Sequence, residues 1–355
     1  MGNPIRVLIL GTGQMGSGMA RHVLDTPGLD LAGAYGKRRK RASTDLGRAI
    51  GLDRDLGISI DADLGMAAKR TRPHVALQAT CSRLDDAWPE IAVLLRDGIS
   101  VVSIAEEMAY PACRSPAIAA EMADLARANG AAVVGTGINP GFVLDLLVVA
   151  LTGVCSTVEA ITATRVNDLS SYGPTVLEAQ GVGLTRDAFE AGLNDGTVTG
   201  HFGFPESISM IAAALGCTVD RIEQTVEPIV SEVRRETPFV TVEPGCVAGT
   251  RHTAMGYRDG APFITLVHPQ QVRPELADVA TGDSIEIAGT PSLRLSGSPE
   301  IPGGPGTVAI AVNMIPRILA ASPGLYTMTE LPVPAALLGG ARRSAEPAAG
   351  AARHA

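Results

Sequence analysis

Two adjacent carboxylates, Glu106 and Glu107, follow an apolar run, Ser100 to Ile104, that reads as a buried strand. A carboxylate fixed at a strand end can take the proton of an ammonium group and set negative charge beside a cationic nitrogen. Burial next to a second carboxylate pushes its pKa upward, toward the range where a base is useful. Oxidising an amine, or reducing the matching iminium, asks for both properties. A carbonyl reductase would instead place a Lys, Tyr or His acid here. The ordinary alternative for the pair is a helix cap or an ion pair with an arginine.

The second signal is Gly11-Thr12-Gly13-Gln14-Met15-Gly16, which directly follows the strand-like run Ile5 to Leu10 and opens a helical stretch from Met15 to Leu24. Glycines at this spacing serve a tight turn, close backbone approach to a pyrophosphate and close helix–strand packing, and the helix N-terminus offers N–H groups to the phosphates. About 20 residues further on, an acid would hold the ribose hydroxyls of NAD. Tyr35-Gly36 stands there instead, followed by Lys37, Arg38, Arg39, Lys40 and Arg41. Cations without a carboxylate suit a 2′-phosphate, so NADP is expected and NAD possible. Thr80 and Cys81, after the strand-like Val75 to Ala79, are expected to line the cofactor.

These groups need a scaffold that presents strand ends. Up to about residue 135 the chain alternates apolar strand-like runs with helical stretches, as a parallel sheet with crossover helices does. Strands are read at Leu29 to Tyr35, Val75 to Ala79, Ser100 to Ile104 and Ala132 to Val134, the last closing the sheet. Helices are read at Ser43 to Ile50, with Ser43 as N-cap, at Asp85 to Arg96 and at Ala119 to Asn129. Beyond Asn139-Pro140-Gly141 the pattern changes. Strands rich in Val and Thr, among them Val247 to Tyr257 and Phe263 to Val267, read as a largely antiparallel sheet. A helix is expected from Val308 to Ala321, and the Ala- and Gly-rich end reads as a disordered tail.

With 355 residues, 46% hydrophobic and 19% charged, the chain has enough length for two domains. A formal charge of −8 disfavours nucleic acid and anionic membrane surfaces. No apolar run approaches the roughly 20 residues of a membrane span, and no signal peptide is evident, so the chain reads as cytoplasmic. Five dispersed cysteines without a C-x-x-C pair, and six histidines without H-E-x-x-H spacing, indicate no metal.

Together, Gly11 to Gly16, Ser103 to Pro111 and Gly135-Thr136-Gly137-Ile138-Asn139-Pro140-Gly141-Phe142 resemble the 2,4-diaminopentanoate dehydrogenases and related NAD(P)-dependent amine dehydrogenases, within a dihydrodipicolinate-reductase-like group. Gly200 to Ser207, Asn313 to Pro316 and Ala321 to Leu325 extend the resemblance over nearly the whole chain. It implies a Rossmann-type doubly wound parallel sheet followed by an α+β substrate and dimerisation domain, and a homodimer. The expected domains are 1–138 for NADP, 139–305 for substrate and dimerisation, 306–335 for a C-terminal helix and return segment, and 336–355 for the tail. In the family a glutamate of the Glu-Glu pair activates ammonia or the amine, a role carried to Glu106 and Glu107 jointly.

By the same resemblance Asn139 flanks the nicotinamide, and Phe142, Asn167, Tyr172, His201 and Thr307 are candidate substrate contacts. Arg165, on the strand before Asn167, is a candidate for a substrate carboxylate. The competing readings are an imine or carbonyl reductase of the dihydrodipicolinate-reductase type, disfavoured by the lack of a His-His pair, and a non-catalytic NADP-binding sensor.

Overall fold

The computed structural model describes residues 3–37 and 43–341. The chain divides into two compact units: the residues through Ile138 together with those from Gly303 on, and the residues from Asn139 to Pro302.

The first unit is built on strands β1 (Ile5–Leu10), β2 (Leu29–Tyr35), β3 (Ile60–Asp61), β4 (Val75–Gln78), β5 (Ser100–Ser103) and β6 (Ala132–Gly135). They pair parallel in the order β6-β5-β4-β1-β2-β3, the order of a doubly wound sheet. Helices α1 (Gln14–Asp25), α2 (Leu46–Ala49), α3 (Leu64–Thr71), α4 (Leu84–Arg96), α5 (Pro111–Arg114) and α6 (Pro116–Ala128) connect them. β4, β5 and β6 are buried at every position, which is why they read as unbroken apolar runs rather than as alternation. Leu8, Leu10, Leu84, Ile91, Val101, Met122 and Val133 share one core.

Three local expectations need correction. β6 does not close the sheet, because Gly324–Tyr326 adds a further parallel strand beside it; three residues are too few to carry a periodic signal. Ser43 caps no helix: Asp45 does, accepting from the Gly47 N–H at 2.7 Å. The helix expected from Val308 to Ala321 is two, Gly303–Asn313 and Ile315–Ala320, with Pro316 at the start of the second, where its missing N–H is tolerated. Ala341 is buried and its N–H donates to the Pro27 carbonyl at 2.8 Å, so the chain is tethered to this unit up to that point. The rest of the expected tail lies outside the described residues.

The second unit contains α7 (Leu146–Thr152), β7 (Thr157–Asp168), α8 (Pro174–Ala179), α9 (Arg186–Asp195), α10 (Phe204–Ala214), β8 (Arg221–Val230), β9 (Arg235–Glu236), β10 (Thr241–Val242), β11 (Val247–Arg258), β12 (Ala261–Gln271), β13 (Gly282–Thr290) and β14 (Leu293–Gly297). Its main sheet runs β14-β13-β7-β12-β11-β8. Only the β7–β12 pair is parallel, so the sheet is mixed and largely antiparallel. Along β7, Ile161, Ala163, Arg165 and Asn167 are buried at alternate positions, the period of a strand with one covered face. No described helix is long and apolar enough to cross a membrane.

Candidate active site

β1 is followed by Gly11, whose φ of 95° few other residues adopt. A Cβ there would lie 2.5 Å from the Ala79 carbonyl oxygen, and one at Gly16 would overlap the Gly11 carbonyl. These two glycines therefore serve turn and packing. Gly13 differs: nothing lies within 4 Å of a Cβ built on it. It is the N-cap of α1 and gives no capping side chain, so the first-turn N–H groups of Gln14, Met15 and Gly16 remain for a ligand. Open space above one glycine, beside a helix N-terminus, is the cradle that a pyrophosphate requires.

At the end of β2, Lys37 directs its ammonium to Glu90 on α4, 3.1 Å away. Burial works against that charge, but the contact with Glu90 outweighs it and raises the Lys37 pKa. Arg38 and Arg39 lie outside the described residues. Glu90 also accepts from the Thr80 hydroxyl and from Gln78 Nε2, the latter at 2.9 Å. Gln78 Oε1 in turn accepts from Ser103 Oγ at 2.7 Å, and Ser103 Oγ accepts from the Ala105 N–H at 3.1 Å. One buried network thus joins the loops that follow β2, β4 and β5. Burial pushes the Cys81 thiol up to about 11, so it stays protonated beside this network.

The two glutamates occupy a short 3-10 turn, Glu106–Ala109, directly after β5, and their surroundings separate them. Glu107 is buried; its Oε2 accepts from the Leu84 N–H at 2.7 Å, closing the N-terminus of α4, and Oε1 faces Arg114 Nε at 3.6 Å. Glu106 is half-buried and densely surrounded. Burial raises its pKa; hydrogen bonds from its own N–H and from Ser82 oppose this, and the charge of Glu107 adds to the rise. The surroundings of the two thus differ: Glu107 holds the start of a helix, and Glu106 is the carboxylate whose pKa burial raises.

In the first unit, Thr307 Oγ1 accepts the Ile138 N–H at 3.1 Å. In the second, Asn139-Pro140-Gly141 is a cis-proline turn held by Asp145, a residue the sequence reading missed. Asp145 is fully buried and accepts from the N–H groups of Gly141 and Leu146, both at 2.7 Å, and from Ser207 Oγ at 2.9 Å. Phe142 follows the turn half-buried.

Asn167 is part of a larger polar face. His268 Nδ1 lies 3.3 Å from Asn139 Nδ2 and His268 Nε2 lies 3.2 Å from Asn167 Oδ1, which fits an Nε2–H tautomer donating to Asn167. The His201 ring stands edge-on to His268 with centroids 4.9 Å apart, and the His201 N–H donates to His252 Nδ1 at 3.1 Å. His201 Nε2, His252 Nε2, Asn139 Oδ1 and Gln270 Nε2 are buried without a hydrogen-bond partner among the described residues. Such atoms are uncommon in a folded interior, and these four give the face spare hydrogen-bonding capacity. Burial lowers His201 to about 3 and His252 to about 4, and takes His268 well below the ordinary value, so all three rings are neutral near pH 7.

Tyr172 is half-buried, and burial raises its phenol pKa. Arg165 does not supply a free cation. It is fully buried, pairs with Asp283 at 2.6 Å and donates to the Ile301 carbonyl. Among the described residues, no group of three or more His, Cys, Asp and Glu side chains is arranged to hold a metal.

Residues 142–347 match the profile of the 2,4-diaminopentanoate dehydrogenase C-terminal domain. The 2,4-diaminopentanoate dehydrogenase of Acetoanaerobium sticklandii is 44% identical over 94% of this chain and 95% of its own length. The chain belongs to the 2,4-diaminopentanoate dehydrogenase family. It is accordingly an oxidoreductase of the class acting on CH–NH2 donors. An amine dehydrogenase of Streptomyces virginiae is 27% identical over 93% of this chain and 96% of its own. The solved amine dehydrogenase of Mycobacterium smegmatis superposes with a TM-score of 0.83 at 27% identity, covering 93% of this chain and 97% of the other. The doubly wound sheet and the mixed sheet described above are thus the architecture of this 2,4-diaminopentanoate dehydrogenase family member.

Proposed function

We propose that this family member is an NADP-preferring amine dehydrogenase, which deaminates a small amine or amino acid such as 2,4-diaminopentanoate and, in reverse, aminates a carbonyl compound with ammonia. The observation that carries the reading is the division of labour at Glu106 and Glu107. One carboxylate is tied to a helix N-terminus, and the other has its pKa raised by burial and by its neighbour. A nicotinamide dinucleotide, when bound, supplies hydride transfer. Gly11, Thr12, Gly13, Gln14, Met15 and Gly16 are assigned to its pyrophosphate, Lys37, Arg38 and Arg39 to a 2′-phosphate, and Thr80, Cys81 and Asn139 to the remainder.

In this reading Glu106 accepts a proton from the substrate ammonium, leaving the neutral amine from which hydride can depart. Proton transfer leaves Glu106 neutral; once it has passed that proton to water, its carboxylate charge stabilises the cationic nitrogen that forms as hydride leaves for the nicotinamide. Phe142, Asn167, Tyr172, His201 and Thr307 are assigned to substrate contacts. Because the histidines are neutral and Arg165 is already paired, polar groups of the substrate other than the reacting nitrogen are met by neutral hydrogen-bonding partners. A homodimer, carried from the family resemblance, and a cytoplasmic location, read from the sequence, complete the proposal.

The test follows absorbance of the reduced nicotinamide with purified protein, NADP or NAD, and 2,4-diaminopentanoate among a panel of small amines. The reverse assay supplies small ketones with and without ammonia. Turnover that depends on amine or ammonia is expected. Reduction of ketones without ammonia would reassign the protein as a carbonyl reductase, and binding without turnover would make it a sensor.

A further inference from the structure

Glu90 lies within α4, yet its carboxylate is turned inward beneath the loop after β4, with its side chain 8% exposed. Its two oxygens have different partners. Oε2 takes the neutral donors Gln78 Nε2 and Thr80 Oγ1, and Oε1 has the Lys37 ammonium at 3.1 Å. Lys37 directly follows Gly36, at the strand end where doubly wound sheets distinguish the adenosine ribose. Gly36 offers no carboxylate of its own, so Glu90 is the carboxylate brought to Lys37 at this strand end, and it comes from a helix remote in sequence.

We propose that Glu90 is a specificity-determining residue, which holds the Lys37 ammonium toward the end of β4 and so weakens the pull of that charge on the 2′-phosphate of a dinucleotide. The proposal rests on the reading that the chain binds a nicotinamide dinucleotide. A buried carboxylate loses much when its cation leaves. A 2′-phosphate must therefore either draw Lys37 away from Glu90 or accept an ammonium already neutralised. The uncharged ribose hydroxyls of NAD meet neither penalty. Glu90 thus works against the contribution that Lys37 would make to a preference for NADP.

The experiment is a titration of the full chain with NADPH and with NADH, followed by nicotinamide fluorescence. Glu90→Gln keeps an oxygen to accept from Gln78 and Thr80 but removes the charge. It is expected to lower the NADPH Kd on the order of fivefold and leave NADH within about twofold. Adding Lys37→Met should abolish that gain. Glu90→Met, of similar length and also uncharged, repeats the test should the glutamine variant fold poorly. An equal change for both nucleotides, or a gain that survives Lys37→Met, overturns the proposal. Binding of neither nucleotide to the unaltered protein overturns the parent reading as well, whereas binding of both with an unshifted ratio overturns this inference alone.

Discussion

The polar groups of the two units are kept ready by opposite means. In the first unit charge is present and backbone holds it: Glu106 sits on the turn after β5, and the α1 N-terminus projects from one contiguous loop. In the second unit it is the histidine charge that is suppressed. His201, His252 and His268 are held neutral by burial; β11 and β12 pair His252 directly with His268, and His201 joins them from the loop before α10. Hydride transfer at a C–N bond needs a nearby proton acceptor, but recognition of the rest of a small substrate needs fixed hydrogen-bond partners that do not compete for its proton. On the proposed function, this contrast separates chemistry from recognition.

The strongest way to break that contrast is to remove the charge alone. Glu106→Gln should lower kcat for amine oxidation by about 10²–10⁴-fold with dinucleotide Kd unchanged. Glu107→Gln, which can still accept the Leu84 N–H, should retain most activity and lose about 1 kcal/mol of stability. Equal inactivation by both, in folded protein, would show that the two carboxylates act as one group. Wild-type kcat/KM should also fall on the acid side at a pH above the ordinary glutamate range, because a base with a raised pKa is protonated sooner. A next, smaller effect tests the backbone half of the contrast. Gly13→Val should leave the fold intact, since that position faces open space, but weaken dinucleotide binding on the order of a hundredfold. Binding unaffected by that valine would remove the loop from cofactor recognition.

The same contrast explains what could be read in the sequence. The glycine loop and the Glu106-Glu107 turn are local: strand, motif and helix follow one another, so spacing alone places them. What separated Glu106 from Glu107 was not local, because it depends on the Leu84 N–H arriving from the start of α4. Glu90 was invisible for the same reason, being one acid on an amphipathic helix until the fold brings Lys37 to it. Asn167 and His201 entered through resemblance, but His252, His268 and Gln270 carried no signal. Their meeting depends on the register of β11 with β12, and of β12 with β7, where Gln270 pairs with Asn167. Arg165 misled in the other direction: a cation near the expected site reads as a carboxylate binder until Asp283 is seen against it.

The neutral half of the contrast can be tested through stability. An imidazole with a folded-state pKa below its unfolded value of about 6.5 binds its proton less readily when folded. The stability it supports is complete above that value and drains away as pH falls toward the folded value, about 3 for His201 and about 4 for His252. Between pH 7 and pH 5 each ring kept neutral should cost the folded state about 2 kcal/mol. Urea midpoints across that range should therefore fall, and His252→Asn should flatten the slope, because the substituted side chain has no proton to gain. A midpoint that stays level from pH 7 to pH 5 would mean that these rings protonate freely in the folded protein. The second unit would then present positive charge to its ligand, and the separation of charged chemistry from neutral recognition would not hold.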